Sequence, residues 1–157
     1  MTLDAFLDSL SSLSSRGKSF KPHKHILLLS IIRLVREGTV TTASVFFDDQ
    51  LRKAFSEEFR KYAAKEDRDR PVAPFFHLST HGFWKLVAAD GQEDALSAAG
   101  TVGSSGELMR LVDHAEIDQE ILEYMQDPEL CVRIRLELEI LVREGIESRT
   151  TPNAVHE

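Results

Sequence analysis

Lys21-Pro22-His23-Lys24-His25-Ile26-Leu27-Leu28-Leu29-Ser30-Ile31-Ile32-Arg33-Leu34-Val35-Arg36-Glu37-Gly38 is the stretch that decides the fold. Pro22 suits the first turn of a helix, where a missing N–H costs nothing. The spacing predicts a helix from about His23 to Glu37, with Gly38 as its stop. Its apolar side chains wrap most of the cylinder, which is the pattern of a central core helix. The apolar run Ile26–Ile32, broken by Ser30, is far too short to span a bilayer.

Upstream, Leu3, Phe6, Leu7, Leu10 and Leu13 recur at helical spacing behind an N-cap at Thr2 or Asp4, and a serine run with Gly17 ends that helix. Between the two helices lies a basic loop, residues 16–25, carrying Arg16, Lys18, Lys21, His23, Lys24 and His25. It leads directly into a helix N-terminus, whose free N–H groups and dipole favour an anion. A solvated surface loop is the alternative reading of the same residues.

Downstream, Thr39 to Phe47 has strand composition, and Asp48 to Lys65 reads as an amphipathic helix. A charged break from Lys65 to Arg70 precedes Pro71-Val72-Ala73-Pro74, where two prolines predict an extended path. Phe75 to Val87 reads as a β-hairpin turning at Thr80-His81-Gly82. Asp90 to Gly106 is a small-residue loop. Helices follow at Glu107–Asp113, Asp118–Met125 and Pro128 to about Gly145. The expected class is α+β, mainly α: a helical domain (residues 1–145) with a small β-hairpin, and a disordered tail over residues 146–157.

The net charge of −7 hides an asymmetry: residues 1–90 carry 14 Lys+Arg against 11 Asp+Glu, and residues 91–157 carry 5 against 15. One side of the molecule is thus competent for phosphate, while the acidic helices read as solvated faces. The single cysteine, Cys131, offers no internal disulfide, and residues 1–20 show no signal-peptide pattern, so a cytoplasmic location is expected, with no membrane partner. Catalytic constellations are weak. No HExxH motif is present, one cysteine cannot anchor a zinc site, and no serine sits in a Gly-x-Ser-x-Gly elbow. Gly100–Gly106 lacks the GKS/T ending of a phosphate-binding loop and reads as a flexible connection. His77 and His81 stand four apart, but a hairpin turn between them would send them in different directions. The expectation is a non-enzyme without cofactor or metal.

Three segments carry a family resemblance: Lys21–Leu29; Ala73-Pro74-Phe75-Phe76-His77-Leu78 with Gly82-Phe83-Trp84-Lys85-Leu86; and Ala115-Glu116-Ile117-Asp118 through Asp127-Pro128. In order and spacing the set resembles the DNA sulphur-binding domain of type IV restriction endonucleases, which join it to a C-terminal HNH nuclease module. The resemblance covers about residues 15–144 and implies recognition of double-stranded phosphorothioate DNA, in which sulphur replaces a non-bridging phosphate oxygen. It points to His23 and Lys24 on one side of a sulphur pocket and to Ala73, Pro74 and His77 on the other. The full expected contact set is Arg16, Lys18, Lys21, His23, Lys24, Arg70, Ala73, Pro74, Phe75, His77, Thr80, His81 and Gly82. Ala73 stands where relatives often have tyrosine, and no HNH pattern is seen, so cleavage would need a separate nuclease subunit. Two alternatives stay open: a small regulator that binds unmodified DNA, and a metal-dependent nuclease using His77 and His81.

Overall fold

The structure is a computed structural model and describes residues 1–150. Its centre is α2 (His23–Arg36), in which ten of fourteen residues are buried. This is the all-round apolar helix that the sequence calls for. Against it pack α3 (Asp49–Tyr62), α7 (Gln119–Gln126) and the long α8 (Pro128–Thr150), and α1 (Leu3–Leu10) packs on α7 and α8. Side-chain caps start all four: Thr2 accepts from the Ala5 N–H, Asp48 from Leu51, Asp118 from Glu120 and Ile121, and Asp127 from Glu129 and Leu130. No helix among the described residues is long and apolar enough to cross a membrane.

The class is α+β, mainly α, as expected, but the β part is assembled differently. β1 (Ser44–Val45), β2 (Trp84–Ala88) and β3 (Val112–Ile117) form an antiparallel sheet in the order β1-β3-β2. Trp84 lies opposite Ile117 and Leu86 opposite Ala115, so β2 pairs with a strand some thirty residues downstream rather than with residues 75–80. Of the expected Thr39–Phe47 strand only Ser44–Val45 pairs. The helix expected to Asp113 is α6 (Ser105–Leu111), and Val112 onwards turns outward into β3. The loop from Asp90 contains a short helix, α5 (Glu93–Ala98).

The Pro71–Pro74 segment is the main departure. Residues Val72–His77 form α4, continued by a 3-10 turn at Leu78–His81 that Gly82 ends with a left-handed φ of 82°. Pro71 caps α4 and Pro74 is its third residue, positions at which a helix leaves N–H groups unpaired, so neither proline breaks it. Val72, Phe75 and Phe76 supply a buried face at helical spacing, and Phe75 packs edge-on against Phe47 and Trp84. The indole N–H of Trp84 donates to the Phe75 carbonyl at 2.8 Å, tying β2 to α4. At the C-terminus, residues 146–150 continue α8; the remainder of the expected tail, residues 151–157, lies outside the described residues.

Candidate functional site

α2 begins on the surface and runs into the core. Its N-cap, Pro22, provides no side-chain hydrogen bond, so the first-turn N–H groups receive none from their cap. His23 and Lys24 are half-buried at this end, whereas His25, one residue on, is buried against the Phe20 ring. Burial pushes the His25 imidazole down to about 4, against a smaller opposing effect from the Leu10 backbone. His25 is therefore a neutral core residue and not part of the basic surface that residues 16–25 suggest in sequence.

The loop before α2 is fastened by the last turns of α8. The Gly17 N–H donates to Ser148 Oγ at 2.8 Å, and Arg16 is ion-paired with Glu144. The Phe20 ring lies so close to Gly145 that a Cβ there would stand 2.2 Å from its Cζ, so only glycine fits. Arg149 joins two loops at once. One guanidinium nitrogen donates to the Phe20 carbonyl at 3.3 Å, and the group holds Asp67 at 2.8 and 3.0 Å. The Arg149 and Asp67 side chains are only 8% and 3% exposed. Burial pulls the Asp67 carboxyl up, but the hydrogen bonds and charge of Arg149 and the Ala64 N–H hold it below the usual carboxylate value.

The segment carrying Asp67 is held on its other side by His23, whose ring nitrogen Nε2 lies 2.7 Å from the Arg68 carbonyl and donates to it. Arg70 reaches across to the Gly103 carbonyl at 3.3 Å. The result is a cavity of about 720 Å³ between the α2 N-terminus, the 66–70 segment, α4 and the 101–103 loop. Lys21, His23, Lys24, Arg68 and Arg70 line it with charge and ring nitrogen; Leu13, Ala73, Pro74 and Val102 give it apolar surface. Its lysines and arginines number four against two carboxylates, Glu66 and Asp67, and Asp67 is already neutralised by Arg149.

Helical α4 is what makes the wall. Ala73, Pro74 and His77 share one face because they lie three and four residues apart, and all three line the cavity. The same helical path carries His81 round to Lys24, whose ammonium donates to His81 Nε2 at 2.9 Å. A helix and a 3-10 turn, not the expected hairpin, join His77 to His81. Both imidazoles are held below their ordinary value, first by burial and then by the Lys24 charge. Burial lowers Lys24 as well.

Seven of the thirteen expected contact residues therefore share the cavity: Lys21, His23, Lys24, Arg70, Ala73, Pro74 and His77. Six do not line it. Arg16 and Lys18 are exposed outside it, and His81 stands behind Lys24. Thr80 lines a second depression of about 440 Å³ beyond His77, with Lys85 and Ser97, and Gly82 ends the 3-10 turn. Phe75 is fully buried in the core and has no surface to offer a ligand. Sequence reasoning missed Arg68, Val102 and Arg149. Arg68 sits in the charged break Lys65–Arg70, and Val102 in the small-residue loop that ends at Gly106. No local pattern marks Arg149.

Among the described residues no group of three or more His, Cys, Asp or Glu side chains is gathered closely enough to hold a metal ion. What the site offers is a concave, net-positive surface with an apolar wall, suited to a polyanion that also carries a poorly hydrated group. No curated protein matches the chain. A family model described as ScoMcrA-like, DNA sulfur-binding domain matches residues 3–133, a stretch that contains the whole lining of the cavity. The chain thus belongs to the ScoMcrA-like DNA sulfur-binding domain family and is a DNA-binding domain.

Proposed function

We propose that this domain is a non-catalytic reader of phosphorothioate linkages in double-stranded DNA, with the sulphur seated against Pro74 and Ala73 and the phosphate charge met by Lys21, Lys24, Arg68 and Arg70. The observation that carries the reading is the convergence of these residues, from segments about fifty positions apart in sequence, on one cavity. Sulphur is larger and less well hydrated than oxygen. A normal phosphate oxygen pressed against an apolar wall loses hydration without compensation, while sulphur loses less. The lysines and arginines see nearly the same charge on either linkage and supply affinity rather than discrimination.

The volume refines this. About 720 Å³ is far more than one sulphur atom requires and lies in the range that holds a drug-sized ligand. The small side chain of Ala73 leaves the space open. A nucleotide's sugar and phosphate enter together, and the sulphur contact is one part of the cleft's inner surface. His23 serves mainly as a strut in this scheme, since its Nε2 is engaged by Arg68. Cleavage of the bound DNA is assigned to a separate nuclease.

The test is a titration of paired short duplexes, identical but for one sulphur. Tighter binding of the sulphur form by about 1–3 kcal/mol is expected, the size of other single small-group differences. Equal affinity for the two would favour a binder of unmodified DNA. Incubation with sulphur-containing plasmid and Mg²⁺ or Mn²⁺ should leave the plasmid intact; cuts that vanish in His77→Ala would make the domain a nuclease.

A further inference from the structure

The outer face of α8 carries a feature that DNA binding does not use. Val132, Leu136 and Ile140 are 42%, 49% and 43% exposed, and they are three of the five large apolar side chains left open to solvent among the described residues. At four-residue intervals they lie one above the other along the helix. Cys131, Ile134, Leu138, Val142 and Gly145 form the buried face of α8, on the opposite side. Core packing therefore gives no reason for the stripe.

The charges beside it select an occupant. Glu129 and Arg143 lie close to the centre line of the stripe, each just under one turn beyond its end, and Arg133 and Glu137 lie together on one flank. None of these four makes an ion pair among the described residues. We propose that this face binds a second copy of the chain, with the two α8 helices antiparallel about a two-fold axis at Leu136. An antiparallel two-fold sets residues of the same flank against each other with their order reversed. Arg133 then meets Glu137 of the second copy, and Glu129 meets Arg143, each contact occurring twice. Glu144, on the same flank, is neutralised within its own chain by Arg16. A parallel pairing would instead stack Glu129 on Glu129 and Arg143 on Arg143.

The stripe runs from Val132 to Ile140, about 12 Å of helix, so the interface is small and the dimer weak. A dissociation constant on the order of 10 µM is expected. Sedimentation velocity across a concentration series should show a reversible monomer–dimer equilibrium. Leu136→Glu, which removes no core contact, should leave only monomer. Glu129→Arg should weaken the dimer about tenfold, two like-charge contacts replacing two attractive ones, and adding Arg143→Glu should restore it. Under mild oxidation Leu136→Cys should form a disulfide dimer. Glu129→Cys should not link to itself, since the two copies would stand roughly 21 Å apart along the axis, but should link to Arg143→Cys in a mixture. Buried Cys131 does not compete. A protein that stays monomeric throughout, a dimer indifferent to Leu136→Glu, or self-linking of Glu129→Cys would overturn the proposal.

Discussion

The two walls of the cavity differ in composition and in how they are held. The α2 wall presents Lys21, His23 and Lys24, and its loop is fastened from outside by Glu144, Gly145, Ser148 and Arg149 of α8. The α4 wall presents exposed Ala73 and an edge of the largely buried Pro74, and it is fastened from beneath by Val72, Phe75 and Phe76. A charged wall must be held by directed bonds, because its residues gain nothing from burial. An apolar wall is held by the core to which its other face belongs. On the proposed reading the first governs how tightly any DNA binds, and the second governs which linkage is preferred.

The most damaging change should be one that lets the walls separate. Arg149→Met leaves the Asp67 carboxylate buried without its partner and frees the Phe20 loop. A loss of about 3–5 kcal/mol in unfolding free energy is expected, readable by urea denaturation. DNA with and without sulphur should weaken together. An unchanged denaturation midpoint would mean that the walls stand without the clamp.

Next in size is a pH effect rooted under the charged wall. His25 titrates near 4 in the folded chain and near 6.5 when unfolded. Between those values the unfolded chain binds the extra proton, so stability falls as pH drops from about 6.5 to 4, by roughly 3 kcal/mol. His77 and His81, also lowered, act in the same direction. His114 is raised by its hydrogen bond to Asp113, so it opposes them, adding stability that is lost as pH rises. Denaturation of His25→Leu across this window isolates the His25 share, and a slope equal to wild type would refute it.

Lys24→Ala should then weaken both kinds of DNA by about 2 kcal/mol, the worth of a charge-assisted hydrogen bond. With about four phosphates contacted, log K against log salt should fall with a slope of roughly −4 in wild type and lose about one in the variant. A flat salt response would reduce the charged wall to a solvated surface.

Pro74→Ala is the smallest and most discriminating change. It should cost about 1–2 kcal/mol with sulphur-containing duplex and scarcely alter the unmodified one. Equal losses on both would show that Pro74 only supports α4, and the contrast between the walls would dissolve.

Much of the helical frame is legible without coordinates. The α2 pattern, the N-cap at Thr2 and the class itself follow from periodicity and capping chemistry, which act within a few residues. The path of residues 71–81 does not. Two prolines and a Thr-His-Gly turn favour extension and a hairpin locally, and burial of Val72, Phe75 and Phe76 against Phe47 and Trp84 outweighs that preference. Proline is tolerated because it falls where a helix needs no donor.

The site divides along the same line. Sequence determined which residues are basic and that Lys21 to Lys24 lie at a helix N-terminus, and the family resemblance set Ala73-Pro74 opposite them. Tertiary structure decided that His25 is core while Lys24 stays half-buried at the cavity, that Phe75 is fully buried, and that Arg149 binds two loops together. The reason is range. Helix periodicity and caps are written into neighbouring residues, whereas a buried ion pair spanning 82 positions exists only once the chain has folded back on itself.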